Sequence, residues 1–228
     1  MASLRTLREQ VVECRRCPRL VAHREAVAQD PPKRYRGQRY WARPLPGFGD
    51  PAARLLIVGL APAAHGGNRT GRMFTGDGSG QWLIEALHAT RFANRPSSTH
   101  RGDGLRLRGA YITAPVRCAP PANRPTPDEL NGCLPFLVRE IELLPRVRVV
   151  VALGKFGFDA YLRVRAIAGQ PVLKPRPRFR HGGVTRFPDG LRLIACYHPS
   201  QQNTFTGKLT RGMLRRVFRR ARALLDGS

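Results

Sequence analysis

Four short apolar runs, at residues 55–59, 110–113, 147–153 and 193–196, constrain this chain more than any other feature. They have the length of buried strands and are too short for buried helices. Each is followed, after a loop, by a pattern with helical spacing. Trp82, Leu83, Ala86 and Leu87 mark the first helix. The second opens at Thr126-Pro127-Asp128-Glu129, where the Thr and Glu side chains can bond each other's backbone N–H and Pro takes the first helical position. Phe156, Ala160 and Val164 mark the third. The fourth carries Met213, Val217, Ala221 and Leu224 on one face, with Arg215, Arg216, Arg219, Arg220 and Arg222 mostly on the other. Alternating strands and helices imply a parallel sheet covered on both faces. The expected fold is therefore an α/β three-layer sandwich, with a central four-stranded parallel sheet flanked by helices. Ligands of such sheets bind in the loops beyond the carboxyl ends of the strands. The residues to examine are those that follow Gly59, Thr113, Leu153 and Cys196.

With 228 residues and neither an internal repeat nor a long low-complexity linker, residues 1–228 read as a single domain. Two stretches rich in Pro and Arg, residues 30–51 and 172–180, read as surface loops. No apolar run is long enough to span a membrane. Residues 1–13 mix Arg5, Arg8 and Glu9 among apolar positions, the pattern of an amphipathic helix and not of a signal peptide. A cytoplasmic protein is expected, in which cysteines stay reduced and a Cys pattern points to metal or catalysis before disulfides.

Net charge is +25, from 40 basic and 15 acidic residues, and only Lys33, Lys155, Lys174 and Lys208 of the basic set are lysine. A field this positive favours a polyanion, through counterion release from nucleic acid or attraction to anionic lipid. Charge alone does not separate DNA from RNA.

Five cysteines are present. Cys14-Arg15-Arg16-Cys17 forms a C-x-x-C, Cys118 lies just after the second strand and Cys133 lies in the capped helix. Cys196 ends a strand and reads as a small buried hydrophobe. Two separated pairs of thiolates suit zinc and iron–sulfur clusters alike, and spacing leaves both open. Either would tie the N-terminal helix to the sheet.

The loop after the first strand, residues 59–80, is rich in glycine but has neither a dinucleotide fingerprint nor a phosphate-binding P-loop. Its glycines let backbone approach a ligand closely, and Phe74 offers a stacking face. Asp77 is the only carboxylate between Asp50 and Glu85, and it reads either as a catalytic group or as a helix N-cap. His65 reads first as a loop residue bonded to backbone. The fourth strand runs into Tyr197-His198-Pro199-Ser200-Gln201-Gln202-Asn203-Thr204-Phe205, a His at a strand end followed by amide and hydroxyl side chains suited to meeting DNA.

These motifs together resemble the uracil-DNA glycosylase superfamily, and within it family 5. The resemblance runs from Cys14 to the last helix. It rests on Cys14-x-x-Cys17-Pro18-Arg19-Leu20, Gly59-Leu60-Ala61-Pro62-Ala63, residues 69–77, Val116-Arg117-Cys118-Ala119-Pro120-Pro121 and His198-Pro199-Ser200. It implies a [4Fe–4S] cluster on Cys14, Cys17, Cys118 and Cys133. It also implies removal of uracil from double-stranded DNA, with tolerance of other deaminated bases such as hypoxanthine. The wider superfamily carries a water-activating Asp or Asn where this chain has Ala61, and many members carry Asn where it has Ala114. Family 5 shares both absences, which implies a variant mechanism. Asp77 and Asn123 match family positions assigned to catalysis and base recognition, while small residues at Ala63 and Ala114 leave room for a larger base.

On this reading the enzyme extrudes a base, at a cost lowered by mispairing. Phe74 stacks on it within a pocket that includes Ala61 and Ala63, and Asn123 bonds its edge. Asp77 stabilises the cationic sugar or its attacking water, and His198 the departing base oxygen. Arg69 and the basic helix hold phosphates, while Gln201, Gln202, Asn203 and Phe205 meet the DNA and its vacated stack. No lysine lies in these loops, so a monofunctional glycosylase acting as a monomer at the nucleoid is expected. The rival reading is a non-catalytic metal-cluster module that binds nucleic acid.

Overall fold

The computed structural model describes residues 3–227, so Met1 and Ala2 of the expected N-terminal helix lie outside the described residues. In chain order the elements are α1 (Leu4–Val12), α2 (Pro18–Gln29), β1 (Phe48–Gly49), β2 (Leu55–Val58), α3 (Gly67–Thr70), α4 (Gly78–Ala89), β3 (Ala110–Thr113), α5 (Pro127–Glu142), β4 (Val149–Leu153), α6 (Gly154–Ile167), β5 (Val184–Arg186), β6 (Arg192–Cys196), α7 (Gln201–Phe205) and α8 (Arg211–Asp226).

The sheet order is β1-β3-β2-β4-β6-β5. The four strands expected from the sequence, now β3, β2, β4 and β6, are mutually parallel. The sheet nevertheless has six strands and not four, because short antiparallel strands β1 and β5 close its two edges. Neither edge strand is buried along its length, so neither leaves the apolar run that marks an inner strand. Every residue of β2, β3 and β4 is buried.

Side chains alternate between two cores, as the strand repeat of two requires. Leu55, Ile57, Val149, Val151 and Ile194 face a core shared with α4 and α8, and Leu56, Val58, Val150 and Leu193 face one shared with α5 and α6. A central truncation such as Ile57→Ala removes fully buried volume and should cost about 2–5 kcal/mol. The capping box at Thr126 is formed, with the Thr126 side chain accepting from Glu129 N–H and Glu129 accepting from Thr126 N–H. In α8 the buried face is Leu214, Val217, Phe218, Ala221 and Leu225. It is therefore rotated from the expected stripe, and Met213 and Leu224 lie at its margin, partly buried. The expected surface loop at residues 30–51 also turns inward, burying Tyr40 and Leu45 and supplying β1.

The chain leaves β2 for β3 on one side and later places β4 on the other. The order reverses between β2 and β4, which is where open α/β sheets gather their ligands.

Candidate active site

Loops from three strand ends meet at this reversal. Phe74, in the loop after β2, has φ of 51°, a left-handed conformation uncommon for an aromatic residue. Its ring lies close enough to Gly59 that a Cβ there would come within 2.9 Å of it. The Phe74 ring is also 5.9 Å, centroid to centroid, from that of His198, which follows β6. His198 in turn packs against Gly154 after β4, where an added Cβ would sit 3.3 Å from that of His198. Asn203 Nδ2 donates to the His198 carbonyl at 2.9 Å, so the α7 turn fixes the strand end. Burial lowers the His198 pKa to about 4, leaving a neutral imidazole at physiological pH.

Asp77 caps α4, with Oδ1 accepting from Gly80 N–H at 2.7 Å. The cap anticipated from sequence is present, yet it occupies one oxygen only. Oδ2 lies against Gly66, where a Cβ would fall 1.8 Å away. Gly80 is equally constrained, since its Cβ would meet the Phe74 carbonyl at 2.3 Å. Burial pushes the Asp77 carboxyl above its usual range, opposed by the Gly80 and Ser79 N–H groups and by the Arg69 charge.

Other expected residues take different places. His65 Nδ1 bonds the Tyr40 hydroxyl at 3.0 Å, and not backbone, and its ring stacks on Tyr35. Arg69 was expected on phosphate, but its guanidinium donates inward, to the carbonyls of His65 and Gly76 (both 2.8 Å) and to Gln38 Oε1 (2.9 Å), and it lies over the Tyr35 ring. Asn123 is exposed in a one-turn helix after β3, with φ of 55°. No hydrogen bond or ring contact among the described residues joins it to Phe74, Asp77 or His198. Ala61 and Ala63 are half-buried in the β2 loop, and Ala114 is buried. Gln201 and Gln202 are exposed on α7, and Phe205 there is 82% exposed. On α8, Arg220 bonds the Gly182 carbonyl and Arg222 the Thr90 carbonyl, while Arg215, Arg216 and Arg219 are exposed.

Sequence reading missed Gly66, Gly80, Tyr35 and Tyr40. The glycines were visible as a rich loop, but only tertiary contact shows which of them touch Asp77 or Phe74.

Cys14, Cys17, Cys118 and Cys133 line one small cavity beside α1, α2 and α5. Arg24, buried on α2, donates to Cys118 Sγ at 3.4 Å. Burial pushes the Cys118 thiol up to about 11 and the Cys133 thiol up to about 12. Cys196 is remote from them in β6 and its thiol meets the Tyr197 carbonyl. Among the described residues, no three His, Cys, Asp or Glu side chains are grouped to hold a single metal ion.

The family model for the uracil DNA glycosylase superfamily matches residues 46–222, a span that holds every strand of the sheet and α8 up to its last turn. The chain belongs to the uracil-DNA glycosylase superfamily. Within that superfamily its relatives include a type-5 uracil-DNA glycosylase of Mycobacterium tuberculosis, 53% identical over 212 residues, covering 92% of this chain and 78% of the relative. Another type-5 enzyme, from Thermus thermophilus, is 51% identical and covers 95% of each chain. A type-4 uracil-DNA glycosylase of Archaeoglobus fulgidus is 31% identical over 157 residues, covering 68% of this chain and 70% of the relative. The superfamily match includes the loops that carry Phe74, Asp77 and His198, but begins after Cys14 and Cys17. No helix among the described residues is long and apolar enough to cross a membrane.

Proposed function

We propose that this protein removes uracil, and larger deaminated bases such as hypoxanthine, from double-stranded DNA by hydrolysing the N-glycosidic bond, acting as a monofunctional monomer. The observation that carries the reading is the convergence of Phe74, His198 and the β2 loop bearing Asp77 at the strand-order reversal. The names of the type-5 relatives support uracil as substrate.

A flipped base stacks on Phe74, beside the small side chains of Ala61 and Ala63. As the bond breaks, positive charge builds on the sugar and negative charge on the base. Asp77 meets the first, directly or through the attacking water. The neutral His198 imidazole donates its N–H to the base oxygen, which needs no proton supplied from solvent. Asn123, exposed after β3, is available to a base edge once DNA is bound. Gln201, Gln202 and Phe205 project from the same end and meet the duplex where the base has left, with Asn203 holding their turn to His198.

Alkaline strand cleavage of uracil-containing duplex tests the reaction, and absence of alkali-labile sites would return the protein to a non-catalytic binding role. The pH profile tests the division of labour. A His198 neutral above about pH 4 predicts that single-turnover rates stay level to pH 8, with no loss near 6.5. Asp77 must be ionised, so the rate should fall with acid at a pH above the ordinary 3.8. A rate that declines from pH 6 to 8 would mean that an imidazolium is required and would overturn the His198 assignment.

The residues around the cysteine cavity fit a [4Fe–4S] cluster: four soft sulfur donors line one space. Cys14, Cys17, Cys118 and Cys133 would hold it, and the bound group would supply a cross-link between the N-terminal helices, the β3 loop and α5. The freshly purified protein should be brown, and Cys14→Ser or Cys118→Ser should lose iron and soluble yield together. Cys196→Ser should lose neither. Colourless protein with stoichiometric zinc would overturn the assignment.

A further inference from the structure

The bonds of Arg69 describe a brace. Its Nε donates to the carbonyl of His65, the residue before Gly66, and its Nη2 donates to the carbonyl of Gly76, the residue before Asp77. Each bond is 2.8 Å long. The two carbonyls belong to the two chain segments that press together where Gly66 meets Asp77 Oδ2. One planar cation therefore spans both sides of that contact, and its fork geometry suits two acceptors at fixed separation. The guanidinium is itself fixed by Gln38 Oε1 on its third nitrogen and by the Tyr35 ring at 4.3 Å. Gly76 has φ of 76°, and a Cβ there would strike Arg69 Nη2 at 2.6 Å, so the brace has no room for a side chain on that segment.

We infer that Arg69 is a positioning residue for Asp77: it clamps the Gly66 and Gly76 segments so that the carboxylate is seated against Gly66. The inference rests on Asp77 acting in the reaction as proposed above. It assigns Arg69 a role other than gripping phosphate, and it makes Gly66 the floor of the carboxylate seat.

The groups acting on Asp77 are few. The Gly80 and Ser79 N–H groups and the Arg69 charge favour ionisation, and burial opposes them more strongly. His65 adjoins Gly66, but its ring is turned onto Tyr35 and Tyr40, and its pKa is lowered by burial and by Arg34, Arg69 and His23. Removing the Arg69 charge should therefore raise the Asp77 pKa further, because a nearby cation that favoured the carboxylate is gone.

The test uses the full-length protein and a uracil-containing duplex, with affinity, salt dependence and single-turnover rate measured for Arg69→Gln. The acid limb of the pH–rate profile should move to higher pH. Rate lost on the acid side should then recover at higher pH, while Kd for the duplex changes less than about threefold. Arg69→Lys, which keeps the charge but loses the fork, should leave the midpoint in place and lower the plateau. Gly66→Ala should lower the plateau at least tenfold at every pH, because it displaces the carboxylate instead of protonating it. If Arg69 grips phosphate, Arg69→Gln would instead weaken Kd, flatten the salt dependence by about one ion and leave the midpoint unmoved, which overturns the inference. Melting curves for Arg69→Lys and Gly66→Ala keep the test usable should Arg69→Gln not fold. Asp77→Asn separates the two levels: near-wild-type turnover there refutes the role of Asp77 itself, whereas a large loss there with an unmoved Arg69→Gln midpoint refutes the brace alone.

Discussion

Asp77→Asn is expected to lower single-turnover excision of uracil at least about a hundredfold, or about 2.7 kcal/mol, which is the scale of removing one preorganised group from a developing charge. Affinity for the uracil-containing duplex should change little, since the substitution keeps the size of the side chain and its bond to Gly80 N–H. The choice of Asn matters. Asp77 Oδ1 caps α4 through Gly80 N–H, and an Asn side-chain oxygen caps equally well. Fold stability is therefore preserved while the charge is removed. His198→Ala should lose a comparable factor, and the double variant should lose less than the product of the two, because both groups act on one separating charge pair. Near-wild-type turnover in Asp77→Asn, with the cap intact, would leave Asp77 as a helix cap only.

The second large effect concerns stability. Glu140 on α5 is buried and bonds Arg117 Nη2 at 2.7 Å, Tyr111 Oη at 3.2 Å and Gly47 N–H at 3.2 Å, and also accepts from the Thr113 hydroxyl. Both members of the ion pair are almost fully inaccessible to water. Glu140→Gln leaves the Arg117 cation buried without a counter-charge, which should cost about 3–5 kcal/mol. For a chain of this size that corresponds to a drop in Tm of roughly 6–20 °C. Arg117→Met combined with Glu140→Leu should recover only part of the loss, because Gly47 N–H and the Tyr111 and Thr113 hydroxyls then lack their acceptor. Arg117 adjoins Cys118, so Glu140→Gln should also loosen the cysteine cavity, readable as faster thiol modification. A Tm within 3 °C of the parent would show that water or a rotated side chain satisfies Arg117.

What was legible in the sequence follows from local periodicity. The strands β2, β3, β4 and β6 are buried on both faces, so each reads as a continuous apolar run whatever its neighbours are. The Thr126 capping box and the Asp77 cap depend on residues three apart, and both formed as read. The motifs that carry the family resemblance are likewise contiguous in the chain, and the family match spans residues 46–222. Tertiary structure decided the rest. The edge strands β1 and β5 exist because an inner neighbour offers them hydrogen bonds, not because their own residues are apolar. The buried stripe of α8 is set by how the helix lies on β4 and β6, which rotated it onto Leu214 and Phe218. Which acceptors an arginine finds within the fold is not a property of arginine, and the folding of the β2 loop brought the carbonyls of His65 and Gly76 to Arg69. Gly66 and Gly80 share the composition of the glycines around them. They differ because Asp77 Oδ2 and the Phe74 carbonyl lie where their side chains would be, and such an exclusion exists only once distant segments have been packed together.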